Sequence, residues 1–112
     1  MQLIEENADG SLCIEDLWFT QRSLKRVEQI PRMIACLQSS EPDGLPPVEL
    51  HRCDDGQVVI HNGHHRVTAI WLSGRRYLRR DEFHLYEMDS PKRRIAKVER
   101  FISIAAPHLL KH

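Results

Sequence analysis

The stretch from Asp54 to Gly74 constrains the fold of this chain more than any other part of its sequence. It reads Asp-Asp-Gly-Gln-Val-Val-Ile-His-Asn-Gly-His-His-Arg-Val-Thr-Ala-Ile-Trp-Leu-Ser-Gly. The Asp-Asp-Gly run at 54–56 favours a tight turn. The apolar residues on both sides of it predict a hairpin with strands at 48–53 and 57–61.

A helix over residues 64–73 is expected directly after the second of these strands. Val67, Ile70 and Trp71 are spaced at i, i+3 and i+4, so they lie on one face that can be buried. Gly74 suits the position just beyond a helix C-terminus, where the left-handed backbone favours glycine.

Shorter signals predict the remaining elements. Runs at 2–5 and 12–17 are expected to form a hairpin, and a strand is expected at 82–88. One further helix is predicted to start near Arg22, break near Ile30 and resume at Pro31. A C-terminal helix is predicted over 91–106, and the residues on its buried face are Ile95, Val98, Ile102 and Ala105. With 112 residues, 41% of them hydrophobic, residues 1–112 are expected to form a single domain.

The beginning of the 64–73 helix is a candidate site for an anion. Gly63 lets the backbone turn sharply and approach a ligand closely. The first N–H groups of a helix have no partner within it, and the helix dipole adds a partial positive charge there. His64, His65 and Arg66 would add imidazole and guanidinium donors, so we expect a phosphate to bind between Asn62 and Arg66.

A second interpretation of the same residues stays open. Asn62-Gly63 is compatible with an ordinary turn, with His64 and His65 as helix caps. Arg66 would then pair with a carboxylate such as that of Asp16. On this interpretation the motif serves the fold and binds nothing.

Metal and thiol chemistry are not expected. The histidines at 61, 64 and 65 are close in sequence, but adjacent residues on a helix diverge by about 100° and a zinc site needs a fourth ligand. The three cysteines are odd in number and widely spaced, which indicates packing residues in a reducing compartment. No apolar run is long enough for a membrane span, so we expect a cytoplasmic protein with no membrane partner.

The net charge is zero, yet the two halves of the chain differ in sign. Residues 1–56 contain 5 Lys and Arg against 11 Asp and Glu, and residues 57–112 contain 11 against 5. A basic half is typical of a protein with an anionic partner, and equally of a solvated face or of halves that pair with each other. Because the acidic half repels phosphates, we expect at most weak, salt-sensitive binding of nucleic acid.

The Asp54–Gly74 sequence resembles the core motif of the ParB N-terminal-like and sulfiredoxin superfamily. In that motif a turn and a strand lead to Gly-x-x-Arg, a helix and a second glycine. Leu-Trp-Phe-Thr-Gln-Arg at 17–22 resembles the Gln-Pro-Arg segment of chromosome-partitioning ParB proteins, and Leu-Pro-Pro-Val at 45–48 resembles the start of a family strand. The similarity covers roughly residues 12–90, and Gly-His-His-Arg is its most specific part.

The resemblance implies an α+β fold, with a small mixed sheet and flanking helices. Family members include partition proteins that hydrolyse CTP, sulfiredoxins that use ATP, and free-serine kinases, and some are described as nucleases. By this similarity the ligand would be ATP or CTP with Mg²⁺. The residues implied in binding are Asn62, Gly63, His64, His65 and Arg66, with Gln21 and Arg22 approaching from the earlier segment.

Departures from the family narrow the expected activity. Sulfiredoxin chemistry needs a cysteine where this chain has His64. The serine kinases carry a glutamate near the position of Gln21, and an amide cannot act as a general base. Glu15 or Asp16 would replace that base only if the backbone brought one of them to the site. The catalytic candidates are therefore His64, His65, Gln21 and Glu15.

Three functions are compatible with the sequence. The first is a stand-alone ParB-like domain that binds a nucleotide and acts as an NTP hydrolase or phosphotransferase. The second is a DNA-associated protein or nuclease that uses the basic half. The third is a regulatory or adaptor protein that keeps the fold without catalysis.

Overall fold

The computed structural model describes residues 10–38, 46–88 and 93–110. Within these ranges the strands are β1 Leu12–Cys13, β2 Leu17–Trp18, β3 Val48–Arg52, β4 Val58–Asn62, β5 Tyr77–Leu78 and β6 Phe83–Glu87. The α-helices are α1 Ile30–Leu37, α2 His64–Leu72 and α3 Val98–Ala105. Short 3-10 turns occupy Ile14–Asp16, Val27–Gln29, Arg80–Glu82 and Pro107–Leu110.

The larger sheet has four strands in the order β2-β4-β3-β6. β3 and β4 are antiparallel, whereas β2 runs parallel to β4 and β6 runs parallel to β3. A β-bulge lies between Glu49 and Leu50. β1 pairs antiparallel with β5 in a separate two-stranded sheet. The helices and the mixed sheet confirm the expected α+β class.

The central hairpin and its helix form close to the predicted bounds. The turn between β3 and β4 places Gly56 at φ 84°, in the left-handed region that glycine favours. α2 ends in a Schellman motif: the Gly74 N–H donates to Trp71 O at 3.0 Å and the Arg75 N–H to Ile70 O at 3.3 Å. Gly74 itself has φ 104°, as the sequence predicted for its position.

Two predictions for the first third of the chain are wrong. No α-helix starts near Arg22: the backbone forms bends and a 3-10 turn, and α1 begins at Ile30 with Pro31 in its first turn. Residues 12–17 are not one strand either, because a 3-10 turn separates β1 from β2 and each pairs with a distant strand. The hairpin partner expected at 2–5 lies outside the described residues.

The C-terminal helix begins later than predicted. α3 starts at Val98, and residues 93–97 are not helical. Their backbone is held by Phe19, whose N–H donates to Ala96 O at 2.8 Å and whose carbonyl accepts the Ile95 N–H at 2.8 Å. Pro91, expected to open the helix, lies outside the described residues. The apolar spacing over 91–106 therefore predicted the helix correctly only from Val98 onwards.

One cluster of buried apolar side chains draws on both sheets and on all three α-helices. Phe19 stacks on Phe101 of α3 with ring centroids 4.2 Å apart. Val67, Ile70 and Trp71 of α2 are buried as predicted, but so are His64, Arg66, Thr68 and Ala69, so burial of this helix is not confined to the predicted face. Within the described ranges, no helix combines the length and apolar character needed to cross a bilayer.

Candidate functional site

The turn from β4 into α2 requires a glycine. Gly63 has φ 105° and ψ 24°, a left-handed conformation that L side chains rarely adopt. A Cβ atom added there would lie 3.2 Å from the Cα of Val48 on the neighbouring strand. Gly63 therefore lets β3 and the start of α2 approach each other more closely than any other residue would allow.

A cavity of about 340 Å³ opens in front of this turn. Its volume lies within the range of roughly 300–1,000 Å³ typical of small-molecule sites. The lining residues come from the segment before α1, from α1, from the approach to β3 and from the start of α2: Gln21, Lys25, Arg26, Gln29, Met33, Pro46, Pro47, Asn62, Gly63, His64, His65 and Arg66. The structure thus brings Gln21 to the Asn62–Arg66 motif, as the sequence suggested.

His64 is almost completely buried, with 2% of its surface exposed. Its Nε2 atom accepts the backbone N–H of Thr20 at 3.1 Å. The hydroxyl of Thr20 donates to the carbonyl of Ile60 at 2.7 Å, so the start of this segment is bound to both α2 and β4. The ring packs against Phe19, with centroids 5.6 Å apart.

His65 holds the same segment at a second point. Its Nε2 atom accepts the backbone N–H of Arg26 at 3.1 Å. Burial of the ring and the nearby charge of Arg26 lower the pKa of His65, although Glu28 acts in the opposite direction. The imidazole is therefore stabilised in its neutral form.

Arg66 faces the other wall of the cavity. Its Nη1 atom donates to the carbonyl of Pro46, and its Nη2 atom lies 3.5 Å from Oε2 of Glu82. The pairing suggested with Asp16 is not formed; Glu82 takes that place. Only 9% of Arg66 is exposed, so its charge is largely compensated within the protein.

The remaining predicted site residues divide into two groups. Asn62 and Gln21 line the cavity. Arg22 is exposed and is not among the lining residues, and Glu15 lines a separate surface cleft with Lys97 and the first residues of α3. Glu15 therefore does not supply the base that was considered for it.

Sequence reasoning missed Lys25 and Arg26, which bring two cationic side chains to the cavity. A Lys-Arg pair in a segment expected to be helical gave no reason to place either residue beside α2. It also missed the apolar wall formed by Met33, Pro46 and Pro47. The cavity lining therefore contains both cationic and apolar residues.

The other histidines and the cysteines do not join this cavity. His61 stacks on His51 across the hairpin, with ring centroids 4.4 Å apart. The described ranges contain no group of three His, Cys, Asp or Glu residues arranged to hold a metal ion. Cys13 is exposed, Cys36 is half-buried and Cys53 is buried, and none lines the cavity.

The basic residues of the segment predicted as a helix over 91–106 do not lie on one helical face. Arg93 and Lys97 precede α3, so they do not share a helical face with Arg100. Lys97 lies over the ring of Trp18, 4.5 Å from its centroid. Arg94 forms a two-pronged ion pair with Asp55, at 2.6 and 2.9 Å, which lowers the pKa of that carboxyl.

Comparison of the chain with models of protein families, with curated proteins and with solved structures found no match. What the structure itself defines is an α+β protein with a cavity at the N-terminus of α2, lined by cationic and apolar side chains.

Proposed function

We propose that this chain is a nucleotide-binding domain that holds phosphate groups in the cavity at the start of α2. The observation that carries the proposal is the composition of that cavity. Its lining combines the cationic residues Lys25 and Arg26 with the apolar residues Met33, Pro46 and Pro47, beside the N-terminus of α2. A nucleotide presents both kinds of surface, an anionic phosphate end and a largely apolar base.

The phosphate end would be bound by backbone and side-chain donors together. Hydrogen bonding within α2 begins where the Val67 N–H donates to Gly63 O at 3.0 Å, so the preceding N–H groups are directed towards the helix start. The dipole of α2 favours negative charge at the same place. Lys25 and Arg26 add formal positive charge.

The base would lie against Met33, Pro46 and Pro47. Small-molecule sites are generally lined by apolar groups, with a few polar groups that orient the ligand. Gln21, Gln29 and Asn62 provide amide donors and acceptors at the rim of this wall. These amides are the groups that would discriminate one base from another.

The resemblance of the Gly-His-His-Arg motif to the ParB N-terminal-like and sulfiredoxin superfamily supports the same proposal. Membership of that superfamily is part of the proposal, as are ATP or CTP as ligand and Mg²⁺ as the accompanying ion. Slow hydrolysis or phosphoryl transfer is also part of the proposal, but fewer observations support it than support nucleotide binding. Among the described residues, Nε2 of His64 and of His65 each already accept a backbone N–H, and Glu15 lies elsewhere.

The nucleic-acid alternative receives less support. Arg75 and Arg94, two of the cations in the basic half, are paired with Glu82 and Asp55. A non-catalytic adaptor would keep the cavity and bind a nucleotide without turnover, so the same binding experiment followed by a phosphate-release assay separates it from an enzyme.

A thermal-shift screen of nucleoside mono-, di- and triphosphates, with and without Mg²⁺, tests the proposal. A ligand at 100 times its dissociation constant should stabilise the protein by about 2.7 kcal/mol. The corresponding nucleosides serve as controls, because they lack the phosphates that the cationic side should bind. A protein that no nucleotide stabilises would contradict the proposal.

A further inference from the structure

Two imidazoles bind the backbone of the segment from Thr20 to Gln29, which is also held by the Thr20 hydroxyl on Ile60 and by burial of Leu24. It contains no α-helix, and only residues Val27–Gln29 form a 3-10 turn. His64 binds the backbone of the segment at its beginning, and His65 binds it at Arg26. The second of these bonds falls at Arg26, which lines the cavity together with Lys25.

The direction of these hydrogen bonds defines the protonation state and the tautomer of the His64 and His65 rings. A backbone N–H can only donate, so each Nε2 atom must carry a lone pair and the ring proton of a neutral imidazole must be on Nδ1. An imidazolium, which has donors at both nitrogens, cannot accept either bond. In this arrangement Nε2 of His65 therefore cannot offer a proton to a phosphate.

We propose that Lys25 and Arg26 are the side chains that bind the anion, and that His65 is a positioning residue that holds them over the N-terminus of α2. The ligand class is a phosphate or pyrophosphate group. The inference rests on the proposed function in one respect: it requires that the cavity binds a phosphate or pyrophosphate group. It reverses the role expected from the sequence, in which the imidazole of His65 would contact the phosphate directly.

Lys25 and His65 can be tested as a coupled pair. Inorganic pyrophosphate is titrated by calorimetry into the wild type, Lys25→Gln, His65→Ala and the double variant. Lys25→Gln should weaken binding about tenfold, the effect of losing a charged hydrogen bond. In the His65→Ala background the same change should cost less than about twofold, because Lys25 is no longer held in place. Arg32→Gln, an exposed cation of α1 outside the cavity lining, is the matched control and should leave the affinity unchanged.

The conservative variant His65→Gln separates positioning from direct binding. A glutamine oxygen can accept the Arg26 N–H but does not titrate, so affinity should be restored towards that of the wild type. The pKa of His65 is lowered by burial of the ring, so the ring should protonate only as the pH falls below that lowered pKa. Under those conditions the wild type should bind pyrophosphate more weakly relative to His65→Gln, because protonation removes the acceptor. The ratio of the two affinities cancels the titration of the anion itself. Arg26, Glu28, Lys25 and Arg66 are the charged groups around this ring, and both proteins retain them.

Several results would overturn the inference. If the affinity loss in the double variant equals the product of the fold losses in Lys25→Gln and His65→Ala, then His65 does not position Lys25. An unchanged affinity in Lys25→Gln, or no pyrophosphate binding by the wild type, would remove Lys25 as an anion ligand. Tighter binding by the wild type relative to His65→Gln at low pH would return the imidazole to direct contact with the phosphate. Parallel titrations with ATP and CTP distinguish the two proposals. If Lys25 and His65 are coupled in pyrophosphate binding but the nucleoside part of ATP or CTP adds no affinity, only the proposed function is contradicted.

Discussion

Oε2 of Glu82 accepts a hydrogen bond from Nη2 of Arg75 at 2.8 Å, while Oε1 pairs with the other terminal nitrogen of the same guanidinium. Oε1 also accepts the backbone N–H of Arg79 at 2.7 Å, and Arg66 approaches Oε2. Only 7% of Glu82 is exposed. One carboxylate is thus shared by the arginine that contacts the cavity wall at Pro46 and the arginine that follows α2.

Replacing Glu82 by Gln should destabilise the protein by about 3 kcal/mol, since removing one partner of a buried ion pair leaves the other charges uncompensated. Urea unfolding followed by circular dichroism measures the change. Glu87→Gln is the matched control on β6: its side chain is 74% exposed and pairs with Arg52, so it should cost less than about 1 kcal/mol. Equal losses in the two variants would contradict a special role for Glu82.

The ion pairs of Glu82 also predict that the stability of the protein depends on pH. Burial opposes the ionisation of Glu82, but the hydrogen bonds from Arg75 and Arg79 and the charges of Arg75 and Arg66 outweigh it and lower its pKa. Its contribution to stability should be complete above the unfolded pKa of about 4.3 and be lost as pH falls through the lower folded pKa. The difference between the wild type and Glu82→Gln should therefore shrink below about pH 4. A difference that is constant down to pH 2 would argue against this.

Gly63→Ala and Gly74→Ala form a matched pair, because both glycines have nearly the same positive φ, 105° and 104°. At Gly74 no atom lies within 4 Å of an added Cβ, so only the backbone penalty of about 1–2 kcal/mol is expected. At Gly63 the new Cβ would also meet Val48 at 3.2 Å, and the loss should be larger. Thermal unfolding of both variants measures the difference, and equal losses would mean that β3 moves aside without cost.

Replacing Arg66 by Ala should destabilise the protein by about 1.5–3 kcal/mol, the range for a charged hydrogen bond, and should weaken nucleotide binding indirectly. The expected cause is loss of the contact that holds the Pro46 wall. Arg76→Ala is the control, since Arg76 stacks on Trp71 at the far end of α2, 3.7 Å from the ring centroid. Calorimetry on variants with native circular dichroism measures the effect, and an unchanged affinity in folded Arg66→Ala would reject the site.

Serine in place of Cys13, Cys36 or Cys53 should leave nucleotide binding and any turnover intact, because no thiol lines the cavity. Cys53 is buried beside the hairpin turn, so its replacement should cost about 1 kcal/mol of stability without affecting affinity. If a single folded Cys→Ser variant lost turnover, thiol chemistry would have to be reconsidered.

DNA binding should be weak and should fade between about 50 and 200 mM salt. Arg75 and Arg94 are engaged by carboxylates, and the acidic first half repels a polyanion. Gel-shift titrations at several salt concentrations measure this, with Arg100→Glu on the exposed side of α3 as a charge-reversed comparison. Sequence-specific binding that resists salt would place the nucleic-acid function first.

The β3–β4 hairpin and α2 could be predicted because their signals are local. Gly56, Gly63 and Gly74 each adopt the positive φ that a turn or a helix terminus requires, and the apolar spacing of α2 agrees with its burial. The same residues predicted an anion site at the start of α2, and a cavity lies there; the presence of Lys25 and Arg26 in its lining was not predicted.

The mistaken elements all depend on partners far away in sequence. Residues 93–97 have a spacing compatible with a helix, but two hydrogen bonds to Phe19 hold them extended. The segment before α1 is bound to imidazoles of α2, a relationship that no local pattern encodes. For the same reason the sequence placed Arg66 among phosphate ligands, whereas its guanidinium contacts Pro46 and Glu82.

The bridge between Phe19 and Ala96 also bears on how the chain folds during synthesis. The hairpin and α2 can form as soon as they leave the ribosome, because their contacts are short in sequence. β2 must wait for β4, and Phe19 must wait until Ala96 has been translated. Until then Leu17 and Phe19, which are fully buried in the finished protein, stay exposed to solvent. Until Ala96 has been made, these two side chains are therefore open to non-native hydrophobic contacts.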